Sequence, residues 1–495
     1  MLSILNLTKT NKLILAAFAF VAVLAFGSGR AHAATLNVSG GCTLPIAIDS
    51  VNAGANQSGC TASGSYGSSD TISIPAGTIT LNTNLPQITE DVTIHGAGMN
   101  TTAIDGSSGA YDGIQAVGVA ITIQDMKIAS YANVAIGLQD CDVTLQNIEV
   151  DGSNAGGDTA IVIISTSGDD KSVTTNNLYM HDITHSSTAL TAFNIQETGG
   201  ATLTVNVNNT TLTNIQNTSV SGGDAFGFAT QVQGMGIINT TISNTTIHNI
   251  KATSVAAAFV GLSIASGSDA AVNMTVSNAT ITGTRGITST LFPVAGAKSA
   301  AFYSAAFGQT SGDTASVTIN VSNSLFADNL SGSDSSNCST IDITPNAGGS
   351  GTGTPTITSL GNNISDDASC TSFTQTGDQQ NVSNIISTLG PLQNNGGNVP
   401  TRALLAGSPA IAAGSAVLGV TTDARGIARP DSCPSVGAYQ FEGAVCGAST
   451  PSTSGGNAGA PNTGIGSTTQ ILNVLVGLLG LGLLTYVFRK QQRTS

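Results

Sequence analysis

The stretch that decides the fold is a unit repeated in the middle of the chain. Residues 203–212 read LTVNVNNTTL, residues 238–247 read INTTISNTTI, and residues 272–281 read VNMTVSNATI. Each copy carries a polar residue, an apolar residue, any residue, then Asn, and an apolar residue three positions further on. The Asn position of this unit recurs, once as Asp, at Asp125, Asn147, Asn177, Asn209, Asn244, Asn278, Asn323 and Asn362.

These positions are separated by 22 to 45 residues, and self-similarity at such a spacing is typical of repeat architectures. The shortest interval is close to what one coil of three short strands and their turns requires. Val, Ile and Thr alternate at period two, and a helical period of apolar residues is almost absent, which favours β structure. We therefore predict an all-β solenoid in which each unit consists of strand, turn, strand and bend.

Stacking of the units predicts two columns. Val207, Ile242, Val276 and Val321 are expected above one another in a continuous interior, and the Asn residues in a column at the bend. Asn tolerates the left-handed backbone conformation, and its amide can bond to the next coil. We therefore interpret these Asn residues as structural and not as ligands.

Two groups of motifs resemble known proteins. Cys42 opens the segment CTLPIAI (42–48), and DTI (70–72), IPAG (74–77), VTIHGAG (92–98) and IDG (104–106) follow in order. This series resembles bacterial surface proteins that open with a Cys-Ser-Leu-Arg-Glu-Ala type segment, and more broadly the pectate-lyase-like class of right-handed parallel β-helix proteins. It departs where Pro45-Ile46 replaces the Arg-Glu pair. The resemblance implies a right-handed parallel β-helix, with residues 34–110 as N-terminal cap and first coils and residues 111–375 as helix repeats.

The second group lies near the C-terminus. LGPLQNNGG (389–397), ALLAGSPAI (403–411), TDARG (422–426) and VGAY (436–439) look like the module that ends many such β-helices before an anchoring signal. The resemblance implies a closing module over residues 376–446. Both resemblances concern architecture and say almost nothing about activity.

The two ends of the chain predict export and anchoring. Residues 1–33 combine lysines, the apolar stretch 13–26 and a small-x-small ending, which predicts a signal peptide cleaved after Ala33, with an uncleaved anchor helix as the alternative. Residues 471–488 form an apolar run long enough to cross a bilayer, so we predict a transmembrane helix. The basic tail 489–495 predicts a cytoplasmic C-terminus and an extracellular body.

A flexible linker is predicted over residues 447–470, where Gly, Ser, Thr, Ala, Asn and Pro dominate. It contains the pentapeptide Ala460, Pro461, Asn462, Thr463 and Gly464. This pentapeptide, followed by an apolar helix and a basic tail, resembles the sorting signal of Gram-positive surface proteins, with Ala460 in place of the usual Leu. The resemblance implies a sortase as partner, cleavage of the Thr463–Gly464 bond, and attachment to the cell wall. A plain membrane anchor is the alternative.

Composition bounds the partners. Six of the fourteen Lys and Arg lie in the terminal segments, whereas all twenty-eight Asp and Glu fall between Asp49 and Glu442, so the body is strongly acidic and nucleic-acid binding is excluded.

Seven cysteines in an exported chain predict disulfides with one thiol left over. The short-range pairings are Cys42 with Cys60, Cys338 with Cys370, and Cys433 with Cys446, although sequence alone leaves other pairings open. Cys141 is then single and buried.

Candidate catalytic residues are acids and histidines that a turn could bring together. The weak candidates are Asp169, Asp170, His181 and Asp182, with Glu149 and His185 as possible companions. The Asn-Thr-Asp, Asp-Asp and Gly-His-Gly set of the related polygalacturonases is missing as a set. Asp169 and Asp170 fall in a predicted turn, where Asp commonly makes local hydrogen bonds.

The candidate metal site is weaker still. Asp140, Asp142 and Asp151 form a set of carboxylates suited to calcium, because calcium takes oxygen ligands that are often turn carboxylates. No other cofactor is predicted.

The functional prediction is a cell-surface-anchored β-helix that mediates adhesion or surface contact, with a protein or glycan ligand. Polysaccharide lyase or glycoside hydrolase activity is the alternative, and a passive surface spacer is the second alternative. The chain has no Trp, which weakens carbohydrate recognition. Phe226, Phe228, Phe292 and Tyr303, in segments expected to form long side loops, offer a protein-contact patch unless they belong to the core.

Overall fold

The computed structural model describes residues 33–443 apart from positions 68, 221, 288–297 and 346. Within these residues no helix has the length and apolar character needed to cross a membrane. The predicted flexible linker, sorting motif, transmembrane helix and tail lie outside the described residues, as does the predicted signal peptide up to residue 32. These predictions therefore stay predictions.

The described chain is all-β, with one short α-helix, α1 (Leu44–Asn52), and one 3-10 helix (Ile385–Thr388). The strands are, in chain order, β1 (Thr35–Asn37), β2 (Asp70–Ser73), β3 (Gly77–Thr80), β4 (Val92–His95), β5 (Thr102–Asp105), β6 (Ile114–Val117), β7 (Ala120–Ala129), β8 (Ile136–Gln139), β9 (Asp142–Asp151), β10 (Thr159–Ser165), β11 (Lys171–His185), β12 (Ala189–Glu197), β13 (Thr202–Asn217) and β14 (Asp224–Ser243). They continue with β15 (Thr246–Lys251), β16 (Ala256–Ser277), β17 (Thr280–Thr282), β18 (Arg285–Gly286), β19 (Ala300–Gly308), β20 (Thr314–Ser322), β21 (Leu325–Ala327), β22 (Leu330–Ser331), β23 (Asp334–Ser335), β24 (Cys338–Asp342), β25 (Thr352–Gly361), β26 (Ile364–Ser365), β27 (Leu389–Gln393) and β28 (Thr401–Leu404).

Strands pair with the equivalent strand of the next coil, not with their neighbours in sequence. β7 pairs in parallel with β9, β9 with β11, and β11 with β13. A second series runs from β8 through β10 and β12 to β14, also in parallel. The result is one large, mostly parallel sheet whose connectivity is compatible with a β-helix.

The bends occur at the positions that the repeat predicts. All eight residues of the Asn position have a left-handed backbone, with φ between 47° at Asn323 and 59° at Asp125. Side-chain amides link several neighbouring coils: Asn147 Nδ2 donates to Asp125 Oδ1 at 2.7 Å, and Asn177 Nδ2 donates to Asn147 Oδ1 at 2.8 Å. The predicted asparagine column is confirmed, and we keep that name for these eight residues.

A second bend, which the repeat pattern did not predict, follows five residues after the first. The left-handed residues there are Ser130, Asp182, Asn214, Asn249, Gly283 and Asp328. Its sequence signal is a small, turn-compatible residue five positions after the Asn, because Gly, Asn and Asp adopt the left-handed conformation most readily.

The interior consists of apolar rows that run along the stack. The predicted row is confirmed, because Val207 pairs with Ile242, Ile242 with Val276, and Val276 with Val321. A row of aromatic rings, with centroids 5.1 to 6.0 Å apart between neighbours, also lies in the core and comprises Phe193, Phe228, Phe259, Phe302, Phe326 and Phe373. Stacking of these rows is what buries enough apolar surface for units that cannot fold alone.

Of the two alternatives for the aromatic residues, contact patch or core, burial in the core holds for Phe226, Phe228 and Tyr303. Phe228 is core, and Phe226 and Tyr303 are buried in a second apolar cluster, while Phe292 lies outside the described residues. Much of the segment expected as side loops is strand, since β14 alone extends over residues 224–243.

Two disulfides and one helix stabilise the described body. The structure contains the predicted Cys42–Cys60 and Cys338–Cys370 bonds, and Cys141 is free and buried. Cys446, the partner predicted for Cys433, lies outside the described residues. Helix α1 was not predicted from periodicity; it has Pro in its first turn and buries Leu44, Ala47 and Ile48 in the main core.

Residues 389–443, which we call the closing segment, fold back along the bends of the stack. Its β27 and β28 pair antiparallel. Asn398 Nδ2 donates to Asn147 Oδ1 at 3.0 Å, Arg429 Nη2 donates to Asn244 Oδ1 at 3.0 Å, and Asn323 Nδ2 donates to the Ser415 carbonyl at 2.6 Å. The closing segment thus contacts the asparagine column over much of its length.

Candidate functional site

The short stretch between the two bends places polar side chains on the outside of the stack. Residues alternate inward and outward along a strand, so the buried Ile148 and Val150 leave Glu149 and Asp151 facing outward. In register with them lie Lys127 on one neighbouring coil and His181 on the other. Lys127, Glu149, Asp151, His181 and the adjacent Asp182 form what we call the charge cluster.

The members of the charge cluster are directly bonded to one another. Lys127 Nζ lies 2.9 Å from Glu149 Oε1 and 2.6 Å from Asp151 Oδ2. His181 Nε2 lies 3.2 Å from the same Glu149 oxygen, and its Nδ1 lies 2.7 Å from Asp182 Oδ2. The side chains of Glu149, Asp151 and His181 are 11 to 19 % exposed, so these ion pairs are only partly screened by solvent.

The pKa shifts of Lys127, Glu149, Asp151 and His181 all favour the charged form of the group. Burial favours the neutral form of each group, but the bonds within the cluster outweigh it. Hydrogen bonds from Lys127 and Ser153 hold the pKa of Asp151 at about 2, and those from His181 and Lys127 lower the pKa of Glu149. Conversely, the carboxylates raise the pKa of Lys127 and of His181.

A groove of about 390 Å³ adjoins the charge cluster. It is lined by Asp125, Asn147, Glu149 and Tyr179, by residues 98–101, and by closing-segment residues 394 and 397–400. The Tyr179 ring stacks on His181 with centroids 4.4 Å apart. Burial is the largest cause that raises the pKa of Tyr179, to about 12, and the nearby carboxylates of Asp182, Glu149 and Asp151 raise it further, so its hydroxyl is neutral at physiological pH.

Among the described residues, Glu149, Asp151 and His181 form a group that could hold a metal ion. Their potential ligand atoms lie within 4.8 Å of one another. Lys127 Nζ is bonded to both carboxylates, so its ammonium already acts as the cation of this cluster. A metal ion would have to displace it.

The structure does not group the predicted calcium ligands. Asp140 accepts hydrogen bonds from the Thr166 and Ser167 backbone N–H groups at 2.6 and 2.8 Å, and Asp142 accepts from Ser172. Asp151 belongs to the charge cluster at the other end of β9. The structure thus separates the three carboxylates, and Asp140 and Asp142 fix turns between coils, because carboxylates are strong acceptors for backbone N–H groups.

The predicted catalytic residues also separate. His181 and Asp182 lie in the charge cluster. Asp169 and Asp170 lie in the exposed turn between β10 and β11, where Asp170 accepts a hydrogen bond from the Thr202 backbone N–H at 2.9 Å. Sequence reasoning missed Lys127 and Tyr179; the available signal was their spacing from the Asn position, since both follow it by two residues.

A different surface extends along the first strand of each coil. Its outward residues form two columns in register across β11, β13, β14, β16, β20 and β25. One column is Ser172, Thr204, Asn239, Asn273, Thr318 and Thr356, and the other is Thr174, Asn206, Thr241, Thr275, Asn320 and Thr358. We call these two columns the threonine–asparagine face; every member is exposed or half-buried.

Comparison with known proteins found no matching family model and no matching curated protein.

Proposed function

We propose that this chain is a right-handed parallel β-helix protein of the pectate-lyase-like class, exported and anchored at the outer face of a cell envelope, where it mediates adhesion or surface contact. The parallel stack supports the class, because parallel crossovers are almost always right-handed. The two disulfides agree with an oxidising, extracellular environment. The anchoring steps, including sortase and cell-wall attachment, rest on the terminal sequence motifs alone.

The observation that carries the contact function is the threonine–asparagine face. It is a continuous side of the stack, it carries no ionisable residue, and it belongs to a body whose net charge is strongly negative. In its second column no side chain makes a hydrogen bond within the described part of the chain, so Thr174, Thr241 and Thr275 keep free donors and acceptors. Such a surface binds through many weak polar contacts repeated along its length.

A binding assay tests this proposal. The purified full chain, held in lipid nanodiscs, is presented to a panel of cells and of neutral and acidic polysaccharides. The double variant Thr241→Lys, Thr275→Lys places two bulky charges in the middle of the face, and Thr371→Lys adds a charge at an exposed threonine elsewhere as matched control. We expect retention that the double variant lowers about tenfold and the control leaves unchanged. Retention equal in all three proteins would show that the face is not the contact surface, and no retention on any panel member favours a passive spacer.

Polysaccharide lyase or glycoside hydrolase activity is the second candidate, because Glu149 and Asp151 converge beside the groove. Glycoside hydrolysis requires one carboxyl that stays protonated, and the pKa values of both acids are lowered. A lyase needs a base that is neutral near the working pH, and the pKa of Lys127 is raised. The cluster as it stands is therefore better suited to holding coils together than to proton transfer.

An activity assay separates the two functions. The full chain and the variants Glu149→Gln and Lys127→Met are incubated with the same polysaccharides, and reducing ends and unsaturated products are measured. We expect no product. If product forms with the unmodified chain and with the double variant Thr241→Lys, Thr275→Lys, but not with Glu149→Gln, the protein is an enzyme with its site at the groove and the proposed contact function is wrong.

A further inference from the structure

The threonine–asparagine face repeats in two directions. Adjacent strands in a sheet lie about 4.8 Å apart, so six strands extend each column over roughly 24 Å. Alternate residues of one strand are about 6.6 Å apart, which sets the distance between the two columns. Because the register is unbroken from β11 to the start of β20, these spacings recur from coil to coil.

The face is also rigid. Directly beneath it lie fully buried apolar rows; Val205, Val272 and Val317 are 0 % exposed. Thr, the commonest residue on the face, is restricted at χ1 by its branched Cβ. Binding to a fixed pattern of partners therefore costs little side-chain entropy.

The columns flanking the face are uncharged from β13 to β25, whereas Asp142 and Asp170 border the face at its β11 end, where they accept hydrogen bonds from Ser172 and Thr202. The flanking columns comprise Thr202, Ile237, Ala271, Ser316 and Thr354 on one side, and Asn176, Asn208, Ser243, Ser277 and Ser322 on the other. The four columns contain no aromatic ring, which removes the apolar platform that a sugar ring uses. Nucleic acids and other anionic polymers find no positive counter-charge in these four columns.

The hydrogen-bonding groups suit ordered water. A threonine hydroxyl offers one donor and two acceptors, and an asparagine amide offers two donors and two acceptors. Side chains of the first column partly pair with one another, as Asn273 Nδ2 does with Asn239 Oδ1 at 3.0 Å. Those of the second column leave their groups open toward solvent, at spacings that the backbone fixes.

From these observations we propose that the threonine–asparagine face binds the surface of ice. This deepens the proposed contact function and rests on it, because the same face carries both. Ice is an uncharged crystal whose surface presents hydrogen-bond donors and acceptors. The threonine–asparagine face is a rigid, periodic array without charges, and its hydrogen bonds to ice are made through water molecules of the ice lattice.

Ice-affinity partitioning tests the proposal. The full chain in lipid nanodiscs is exposed to a slowly growing ice surface, and the protein fraction in the ice is compared with that of empty nanodiscs. We expect clear enrichment, lowered about tenfold in Thr241→Lys, Thr275→Lys and unchanged in Thr371→Lys. The milder double variant Thr241→Val, Thr275→Val removes only two hydroxyls, so it tests the proposal even if the lysine variant does not fold. It should reduce the enrichment in ice while its circular dichroism spectrum stays the same.

The outcomes separate this inference from the function on which it rests. Exclusion of the chain from ice, together with face-dependent retention on cells or on a neutral crystalline polysaccharide, overturns ice binding and leaves the contact function standing. Enrichment in ice that the face variants do not alter also overturns it. Exclusion from ice and no retention on any surface overturns both.

Discussion

Replacing Asn244 by Gly should destabilise the protein far more than the same change at Asn278. Both residues belong to the asparagine column, both have a left-handed backbone with φ of 53° and 54°, and both are buried. Their side-chain partners differ. Asn244 Nδ2 donates to the Thr422 carbonyl at 2.9 Å and to Asn209 Oδ1 at 3.2 Å.

Asn244 also accepts a hydrogen bond from Arg429 Nη2 at 3.0 Å, whereas the buried amide of Asn278 has no partner within the described residues. A neutral hydrogen bond contributes about 1 kcal/mol net and a charged one about 1.5 to 3 kcal/mol. Arg429 keeps its bonds to three backbone carbonyls, which moderates the loss. We expect Asn244→Gly to cost about 2 to 4 kcal/mol more than Asn278→Gly, which should cost about 1 kcal/mol or less.

Urea unfolding followed by circular dichroism measures both free energies of unfolding, since the chain has no Trp. Limited proteolysis supplies a second readout, because loss of the Asn244 bonds loosens the closing segment while Asn278→Gly does not. Equal losses of stability, or faster cleavage of the closing segment in both variants, would show that the column acts only through backbone conformation and that the contacts with the closing segment add nothing.

Three further predictions concern charge and covalent links. Lys127→Met should raise the pKa of Asp151 from about 2 toward its ordinary value, because the variant lacks the ammonium that stabilises the carboxylate. NMR titration measures this pKa, and an unchanged value would contradict the ion pair. Burial raises the pKa of Asp224 in the folded state to about 6 from 3.8. The contribution of Asp224 to stability is therefore complete at low pH and declines as the pH rises from about 4 to about 6. Asp224→Asn should remove this decline from the pH profile of the melting temperature, and identical profiles for the two proteins would refute the prediction. The Cys338–Cys370 bond closes a loop of 32 residues, so replacing both cysteines by Ala should lower the free energy of unfolding by about 3 to 4 kcal/mol, and no change in thermal melting would refute this.

The charge cluster illustrates how similar residues can serve catalysis or structure. Two carboxylates, a histidine and a lysine beside a groove are the parts of many active sites. Here each charge is paired, and Glu149 receives both Lys127 and His181. The pKa shifts that result favour the charged, paired forms of these groups on three adjacent coils, which is why we place function on the long face of the stack.

The repeat alone determined the architecture of the stack. Each unit carries its own bend residue and its own alternation of apolar and polar side chains, so the left-handed positions of the asparagine column and the Val207 to Val321 row could be read from sequence. These are local properties that every coil repeats. The two short-range disulfides could also be predicted, because each joins cysteines that are only 18 or 32 residues apart in the sequence.

Only the tertiary structure decided which outward side chains meet. Lys127, Glu149 and His181 are separated by 22 and 32 residues along the chain, and they become neighbours because variable loops bring three coils into one register. Asp140, Asp142 and Asp151 are closer in sequence, yet an extended strand holds Asp142 and Asp151 apart. The return of the closing segment along the asparagine column was likewise invisible, because such long-range contacts depend on where the stack ends and leave no periodic trace in the sequence.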